Sequence, residues 1–326
     1  MKKINWGIIG CGDVTEKKSG PAFNKATNSA LIAVMRRDAA KAEDYAKRHG
    51  VPKWFSDASA LINDPDVDAI YIATPPASHE EYTLAALNAG KPVYVEKPMT
   101  LNTDSALRMA KAAQESGIKL VVAHYRRELE LFKKVKELIE SKAIGEVRYV
   151  NLQMLQPYHS AIITQTDDNW RVNPEVSGGG LFHDLAPHQL DLMIHFFGKT
   201  KKYVGFSGNQ AGYYKADDIA SGDILFENGV IFKGLWCFSV PKEETKDLVE
   251  IVGSEGKIEF SVFGTDFLIL HKGGQQERIE FETPEHIQQP FIQQVVNYFL
   301  GERQNPCPAE DGVEVMKIID SFSKRD

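Results

Sequence analysis

The chain has 326 residues, a length that suits two domains of ordinary size. With 43% hydrophobic and 25% charged residues, it has the composition of a soluble globular protein. The net charge of −7 argues against nucleic acid and anionic membrane as its main partners.

The three cysteines (Cys11, Cys237 and Cys307) are widely spaced and form no CxxC pair, which predicts no disulfide framework and a reducing cytoplasm. The start, MKKINWGIIGC, resembles a signal peptide or lipobox, with two lysines, an apolar stretch and a cysteine. Its apolar part is only about seven residues, the lower limit for signal peptides, and it runs directly into a glycine-rich turn. We therefore interpret residues 4–10 as a first β-strand. No apolar run reaches the length of about 18 residues that would span a membrane.

Residues 1–123 alternate strand-like and helix-like patterns. The helical stretches end on glycine, as in 39–50 and 78–90, and the second begins with Ser78 as an expected N-cap. The apolar, β-branched runs that predict strands are 4–10, 30–36, 67–74, 92–96 and 119–125. Strands that alternate with helices of this length predict βαβ units and a parallel sheet.

Residues 124–326 follow a different pattern, in which a helix is followed by a strand-rich region. Two β-hairpins are predicted, one over 223–238 with its turn at 227–229 and one over 248–264. Consecutive hairpins predict an antiparallel sheet, and two helical stretches follow. The expected fold class is thus α/β plus α+β, with domains over 1–123 and 124–326.

A glycine-rich turn follows the first predicted strand. Gly10 and Gly12 match the first two glycines of G-x-G-x-x-G, whereas Thr15 stands where Gly or Ala is usual. In this motif the first glycine makes the tight turn and the second lets a pyrophosphate approach backbone N–H groups. In its βαβ context the turn, including Asp13 and Val14, predicts dinucleotide binding, although glycines also end strands for structural reasons alone.

The end of the second predicted strand indicates which dinucleotide is bound. It reads Met35-Arg36-Arg37-Asp38, with two arginines before the acid. A guanidinium can form a fork with a 2′-phosphate, which favours NADP(H). In the alternative, the arginines are a solvated loop and Asp38 binds the ribose of NAD(H).

Two further motifs, TPPASH (74–79) and EKP (96–98), each end a predicted strand. Ligands of open α/β sheets bind outside the carboxyl ends of the strands, so both motifs are expected at the edge of the cofactor site. The expected cofactor-binding residues there are Thr74, Pro75, His79 and Glu96.

Lys97 lies at the centre of the second motif. Pro98 favours an extended conformation for Lys97, which would direct the side chain outward, and a cis bond before Pro98 is a minority possibility. An ammonium group near the nicotinamide could polarise a substrate oxygen. The alternative is a surface lysine paired with Glu96.

The segment SGGGLFHDLAPHQLDLMIHFFG (177–198) places a polar stripe on an otherwise apolar helix. The stripe consists of Asp184, His188, Asp191 and His195. It spans about 16 Å, which is too long for one metal ion. We expect Asp184 and His188, one turn apart, to form a catalytic pair, and Asp191 and His195 to be structural.

Together and in this order, these motifs resemble the glucose–fructose oxidoreductase / inositol dehydrogenase / MocA family over nearly the whole chain. The matching segments are GIIGCG, TPPASH, EKP, YRR (125–127), IGEV (144–147), WR (170–171) and GGGLFHDLAPHQLD (178–191). EKP and the D-x-x-x-H element are specific to the family, whereas the glycine turn is generic. The resemblance implies an N-terminal Rossmann fold. It also implies a C-terminal open, mainly antiparallel sheet that supports the substrate and often forms an oligomer interface.

The resemblance also implies residue roles. Lys97 would be the catalytic lysine, with Asp184 and His188 as its partners across the cleft and Glu96 at the cofactor. The residues implied near the substrate are Tyr125, Arg127, Trp170 and Arg171. The MRRD strand end looks more like that of the NADP-using members.

The predicted activity is hydride transfer between the nicotinamide and a hydroxyl or carbonyl carbon of a sugar, cyclitol or related polyol. His188 would shuttle the proton and Lys97 would stabilise the oxygen, both in one pocket beside the nicotinamide. Alternatives are a non-catalytic dinucleotide sensor or regulator, or a dihydrodiol or anhydro-sugar substrate. We expect a cytoplasmic homodimer or homotetramer assembled through the C-terminal sheet, with no metal, nucleic-acid or membrane partner.

Overall fold

The computed structural model describes residues 3–160, 162 and 169–323. The chain forms two compact units. The first comprises residues 1–126 and 284–316, and the second comprises 127–283 and 317–326. Each unit is therefore built from two separate stretches of chain, and the sequence did not predict that residues 284–316 return to the first unit.

The first unit is a Rossmann fold, as predicted. Its elements before residue 123 are β1 (Ile4–Ile9), α1 (Asp13–Lys17), α2 (Gly20–Lys25), β2 (Ser29–Met35), α3 (Ala39–His49), β3 (Lys53–Phe55), α4 (Ala58–Ile62), β4 (Ala69–Ile72), α5 (His79–Asn88), β5 (Val93–Val95), α6 (Thr103–Ser116) and β6 (Leu120–Val122). The six strands are parallel and lie in the order β3-β2-β1-β4-β5-β6. Trp6, Ile8 and Tyr71 are fully buried in the central strands, as expected of a parallel sheet covered on both faces.

The second unit is built on an eight-stranded sheet. Its elements are α7 (Glu130–Glu140), β7 (Val147–Leu155), α8 (Pro174–Ser177), α9 (Leu181–Phe197), β8 (Thr200–Gly208), β9 (Ile219–Phe226), β10 (Ile231–Cys237), β11 (Lys246–Gly253), β12 (Gly256–Phe260), β13 (Phe267–Lys272) and β14 (Gln275–Glu280). The strand order is β14-β13-β12-β11-β7-β10-β9-β8, and the pairing is antiparallel except between β7 and β10. The predicted mainly antiparallel sheet and both hairpins are confirmed.

The two faces of this sheet differ in burial. Along β7, Val150, Leu152 and Met154 are buried, whereas Tyr149 on the opposite face is 40% exposed. The two predicted C-terminal helices are α10 (Gln289–Leu300) and α11 (Ala309–Phe322). In the first unit, Phe291 of α10 packs near Tyr94 of β5, with ring centroids 6.0 Å apart. The returning segment thus completes the core of the Rossmann unit.

Candidate active site

The glycine turn after β1 has the backbone geometry that its sequence predicts. Gly10 has φ +92°, and a Cβ there would lie 2.7 Å from the Thr74 side chain, so only glycine fits. A Cβ on Gly12 would meet nothing closer than a carbonyl of its own turn at 4.0 Å, so the backbone at Gly12 is open to close approach by a ligand. The buried Thr15 hydroxyl donates to the Gly12 carbonyl at 2.7 Å, which explains how threonine is accommodated at the third position.

The side chains at the end of β2 take different roles. Arg36 reaches back to the glycine turn, where its Nη1 donates to the Cys11 carbonyl at 3.3 Å. Arg37 is exposed. Asp38 is the N-cap of α3 and accepts a hydrogen bond from the Lys41 amide at 3.2 Å. The carboxylate in the usual ribose-binding region is therefore engaged by its own helix.

The TPPASH segment folds back on the end of β4. Pro75 precedes a 3₁₀ turn, and the Ser78 hydroxyl donates to the Thr74 hydroxyl at 2.8 Å. Ser78 precedes α5 as predicted, but its side chain makes no capping hydrogen bond. His79 is fully buried, with Nε2 2.7 Å from the Thr74 carbonyl and Nδ1 3.0 Å from the Pro98 carbonyl.

Glu96, immediately after β5, is 5% exposed and held by hydrogen bonds within the first unit. Its Oε1 accepts from the Tyr71 hydroxyl at 2.5 Å and from Gln288 Nε2 at 2.6 Å, while Oε2 accepts from the Lys97 backbone N–H at 3.1 Å. Burial, together with the Glu96 carboxylate, raises the pKa of Tyr71 well above its ordinary value, so its hydroxyl remains a donor. Tyr94 donates to Gln288 Oε1 at 2.9 Å, which fixes the orientation of the amide.

Lys97 follows Glu96 and is half-buried. The peptide bond between Lys97 and Pro98 is cis. The residues on both sides of Lys97 are anchored by side chains, because Gln288 donates to the Glu96 carboxylate and the His79 ring contacts the Pro98 carbonyl.

In the second unit, the loop before α9 is shaped by close contacts at its glycines. A Cβ on Gly180, which has φ +86°, would fall on Ala216, and a Cβ on Gly179 would fall on the ring of His183. His183 is 4% exposed, and burial lowers its pKa to about 4. The imidazole of His183 is thus packed neutral against the loop that leads into the predicted catalytic pair.

Asp184 and His188 lie one turn apart in α9, as the sequence predicts. The Asp184 carboxylate forms an ion pair with Arg171, with Oδ2 3.3 Å from Nε, and the Arg171 guanidinium lies 4.5 Å from the ring centroid of Trp170. His188 is 4% exposed and has Phe263 edge-on, with ring centroids 5.5 Å apart. The structure therefore brings Trp170, Arg171 and Asp184 together.

Two buried polar contacts hold α9 in place. Arg127 and Asp191 form an ion pair at 6% and 1% side-chain exposure, with nitrogen–oxygen distances of 2.6 to 3.2 Å. Gln189 Oε1 accepts from the indole N–H of Trp236 at 2.6 Å. Arg127, which we expected near the substrate, is thus engaged by Asp191 within the second unit.

Tyr125 was predicted near the substrate, whereas other residues of the site were not predicted. Tyr125 is 5% exposed, in a 3₁₀ turn over Tyr125–Glu128, with the Arg126 guanidinium 5.6 Å from its ring centroid. The partners of Glu96, namely Tyr71 and Gln288, lie far from it in sequence and carry no motif.

Among the described residues, no three or more His, Cys, Asp or Glu side chains are arranged to hold a metal ion. Within the same ranges, every helix is too short or too polar to cross a membrane.

Comparisons with known proteins cover both units. The model of the GFO/IDH/MocA oxidoreductase family, NAD-binding Rossmann fold, matches residues 4–124, and that of the GFO/IDH/MocA C-terminal domain matches residues 132–259. Oxidoreductase P35 of Formosa agariphila is 48% identical over 98% of each chain. The 1,5-anhydro-D-fructose reductase of Ensifer adhaerens is 28% identical over 78% of this chain and 74% of its own. A levoglucosan dehydrogenase structure with NADH and levoglucosan shares the fold, with a TM-score of 0.86 and 21% identity over 98% of this chain and 96% of that one.

Proposed function

The chain belongs to the GFO/IDH/MocA family of oxidoreductases, and we propose that it transfers a hydride between NADP(H) and a hydroxyl-bearing carbon of a sugar, cyclitol or related polyol. In oxidation the substrate loses a hydride from carbon and a proton from its hydroxyl, and a carbonyl results. The nicotinamide supplies the hydride acceptor, or the donor in the reverse direction. The protein's own contribution is to bind, to orient and to move the proton.

Each catalytic group has a distinct proposed role. His188 takes the hydroxyl proton, because an imidazole titrates near neutral pH. The Lys97 ammonium stabilises the negative charge that develops on the substrate oxygen. Asp184, braced by Arg171, orients the group that carries the proton. Trp170 and Arg171 then lie near the substrate.

The observation that carries this proposal is the anchoring of the EKP strand end beside the glycine turn of the same unit. Gly10 packs directly against Thr74. The His79 ring in turn contacts the backbone carbonyls of both Thr74 and Pro98. A continuous series of contacts thus links the glycine turn to the backbone next to Lys97. The open backbone at Gly12 fits a pyrophosphate, as the dinucleotide fold requires.

The test is Lys97→Met, assayed by NADP-linked oxidation of a panel of sugars, cyclitols, polyols and anhydro sugars. We expect turnover to fall by about 100- to 1,000-fold, the usual effect of losing one group that stabilises an oxyanion. NADPH binding, followed by fluorescence titration, should be retained. Lys111→Met, at an exposed ion pair on α6, is the matched control. Unchanged turnover in Lys97→Met would refute the assignment.

The preference for NADP(H) is proposed from the end of β2. Arg36 is held over the glycine turn and Arg37 is exposed, whereas Asp38 caps its own helix. Two guanidinium groups near the ribose favour a 2′-phosphate. In Arg36→Ala we expect kcat/KM to fall roughly 10- to 100-fold with NADPH and little with NADH, since a hydrogen bond to a charged group contributes about 1.5–3 kcal/mol. A wild-type preference for NADH would overturn this proposal.

An anhydro sugar is the second candidate substrate class. It is supported by the name of the 28% identical reductase and by the levoglucosan bound in the structural neighbour. The neighbour binds NADH, so the same assay must compare both cofactors. Oxidation of anhydro sugars in preference to polyols would select this class.

We further propose a cytoplasmic homodimer or homotetramer, in which a second copy covers the open face of the eight-stranded sheet. Four large apolar side chains on β7, β8 and β10 are 40% to 75% exposed, namely Tyr149, Val204, Phe206 and Ile231. Exposed apolar patches of this kind mark interaction surfaces. None of the three cysteines forms a disulfide, as in proteins of a reducing compartment.

A further inference from the structure

His79 makes two contacts that a neutral imidazole cannot both satisfy. The ring is fully buried at the start of α5, with Nε2 2.7 Å from the Thr74 carbonyl and Nδ1 3.0 Å from the Pro98 carbonyl. Carbonyl oxygens only accept hydrogen bonds, and a neutral imidazole has one N–H donor and one acceptor nitrogen. A neutral ring would therefore direct a nitrogen lone pair at one of the two carbonyl oxygens.

Burial and a nearby carboxylate act on His79 in opposite directions. The net pKa of His79 is lowered, chiefly by burial, although the carbonyls of Thr74, Pro98 and Met99 and the carboxylate of Glu96 oppose that shift. The case for a charged ring is the geometry, in which both ring nitrogens face acceptor oxygens. Among the described residues, Glu96 is the charged side chain that acts on this ring, and it is itself only 5% exposed. Buried charges are retained in proteins when they are hydrogen-bonded and balanced by an opposite charge, and both ring nitrogens of His79 lie within hydrogen-bond distance of a carbonyl oxygen.

We propose that His79 is a buried imidazolium that donates one hydrogen bond to each of two strand ends and thereby positions Lys97. Through Thr74 it holds the end of β4, against which Gly10 packs, and through Pro98 it holds the segment after β5. From the sequence, we expected His79 to contact the cofactor. With no exposed surface and both nitrogens engaged by backbone, it is instead a positioning residue.

Three side chains then hold the residues next to Lys97. Tyr71 and Gln288 fix the carboxylate of Glu96, which accepts from the backbone N–H of Lys97, and His79 fixes the carbonyl of Pro98. A displacement of about 1 Å can cost about 100-fold in rate, so this frame bears directly on turnover. This functional part of the inference rests on the proposed catalytic role of Lys97, but the charge state of His79 does not.

The first test is nitrogen-detected NMR of the wild-type protein labelled with ¹⁵N-histidine at pH 7.5. The expected result is a His79 signal set in which both ring nitrogens carry protons. His183 provides an internal control, because it is equally buried and its pKa is lowered to about 4, so it should show one protonated and one bare nitrogen. Signals are assigned by their loss in His79→Gln and His183→Gln. A bare nitrogen on His79 would overturn the proposal, and this measurement requires no activity.

The second test measures kcat against pH in His79→Gln and His79→Asn. The Gln amide can replace the bond from Nε2 and the Asn amide the bond from Nδ1, but neither carries a charge. Loss of a buried cation makes neighbouring groups hold their protons more tightly, so the kcat profile should move to higher pH by about one unit. We expect kcat to fall about 100-fold with NADPH affinity retained.

Ser78→Ala is the matched control for this second test. It removes a neutral hydrogen bond to Thr74 from the same loop, so it should leave the pH profile in place. A profile that does not move in a folded His79 variant would overturn the positioning role. If Lys97→Met were fully active while both His79 nitrogens carried protons, the proposed function would fail and the charge state of His79 would stand.

Discussion

Acid should lower the free energy of unfolding of the second unit through His183. Burial lowers the pKa of this imidazole from 6.5 to about 4. Above pH 6.5 the ring is neutral in both the folded and the unfolded chain. As the pH falls from 6.5 towards 4, only the unfolded chain takes up the proton, so the free energy of unfolding decreases through this window. A pKa difference of about 2.5 corresponds to roughly 3 kcal/mol, lost at no more than about 1.4 kcal/mol per pH unit.

The assay is urea unfolding between pH 7.5 and 4.5, followed by tryptophan fluorescence, for wild type and His183→Gln. Wild type should lose roughly 2–3 kcal/mol more than the variant across this range. His195, whose pKa burial also lowers to about 4, acts in the same direction in both proteins and cancels in the comparison. His159→Gln, which replaces an exposed histidine of the same unit, is the matched control. Equal slopes in wild type and His183→Gln would refute the reasoning.

Three further predictions concern packing and assembly. Asp191→Asn should lower the free energy of unfolding, measured in urea, by about 3–5 kcal/mol, because the buried guanidinium of Arg127 loses the carboxylate that it pairs with. A loss below about 1 kcal/mol would contradict this prediction. Gly179→Ala should lower the free energy of unfolding by about 1–3 kcal/mol, because its Cβ would clash with the imidazole of His183. Gly208→Ala, where nothing lies within 4 Å of the added Cβ, should lower it less in the same assay. Phe206→Ser, at a side chain that is 75% exposed, should shift the protein to smaller species in sedimentation, and an unchanged mass would exclude that face as the interface.

The sequence predicts those parts of the fold whose signals are local. The hairpin of β9 and β10 is predicted by the Asn228-Gly229 turn between two alternating strands, and in the structure Gly229 has φ +88°. β3 was not predicted, because three residues, Lys53–Phe55, are too few to show a period. The discontinuity of the units was also missed, since nothing in residues 284–316 distinguishes helices that return to the Rossmann core from helices of a second domain.

The candidate site shows the same division between local and distant information. The tight turn at Gly10 is predicted by its place in the glycine motif, and Gly10 has φ +92° in the structure. The spacing of Asp184 and His188 follows from the helix period. Ser78 was predicted to cap its helix, yet its hydroxyl oxygen accepts no hydrogen bond from the helix and its proton is donated to Thr74. A local propensity was overridden there by a contact that forms only when the loop folds back on the strand.

Glu96 shows why a charged strand end cannot be interpreted from its own residues. In the sequence, a charged pair followed by proline is equally consistent with a solvated tip and with a buried one. The partners that decide between them are Tyr71, 25 positions earlier, and Gln288, 192 positions later, while His79 contacts Pro98 from 19 positions away. Burying a carboxylate is unfavourable unless its oxygens are hydrogen-bonded, so this strand end requires those distant donors before it can form. Gln288 is the last of them to be synthesised, and the frame around Lys97 is therefore complete only when the segment after residue 283 has joined the first unit.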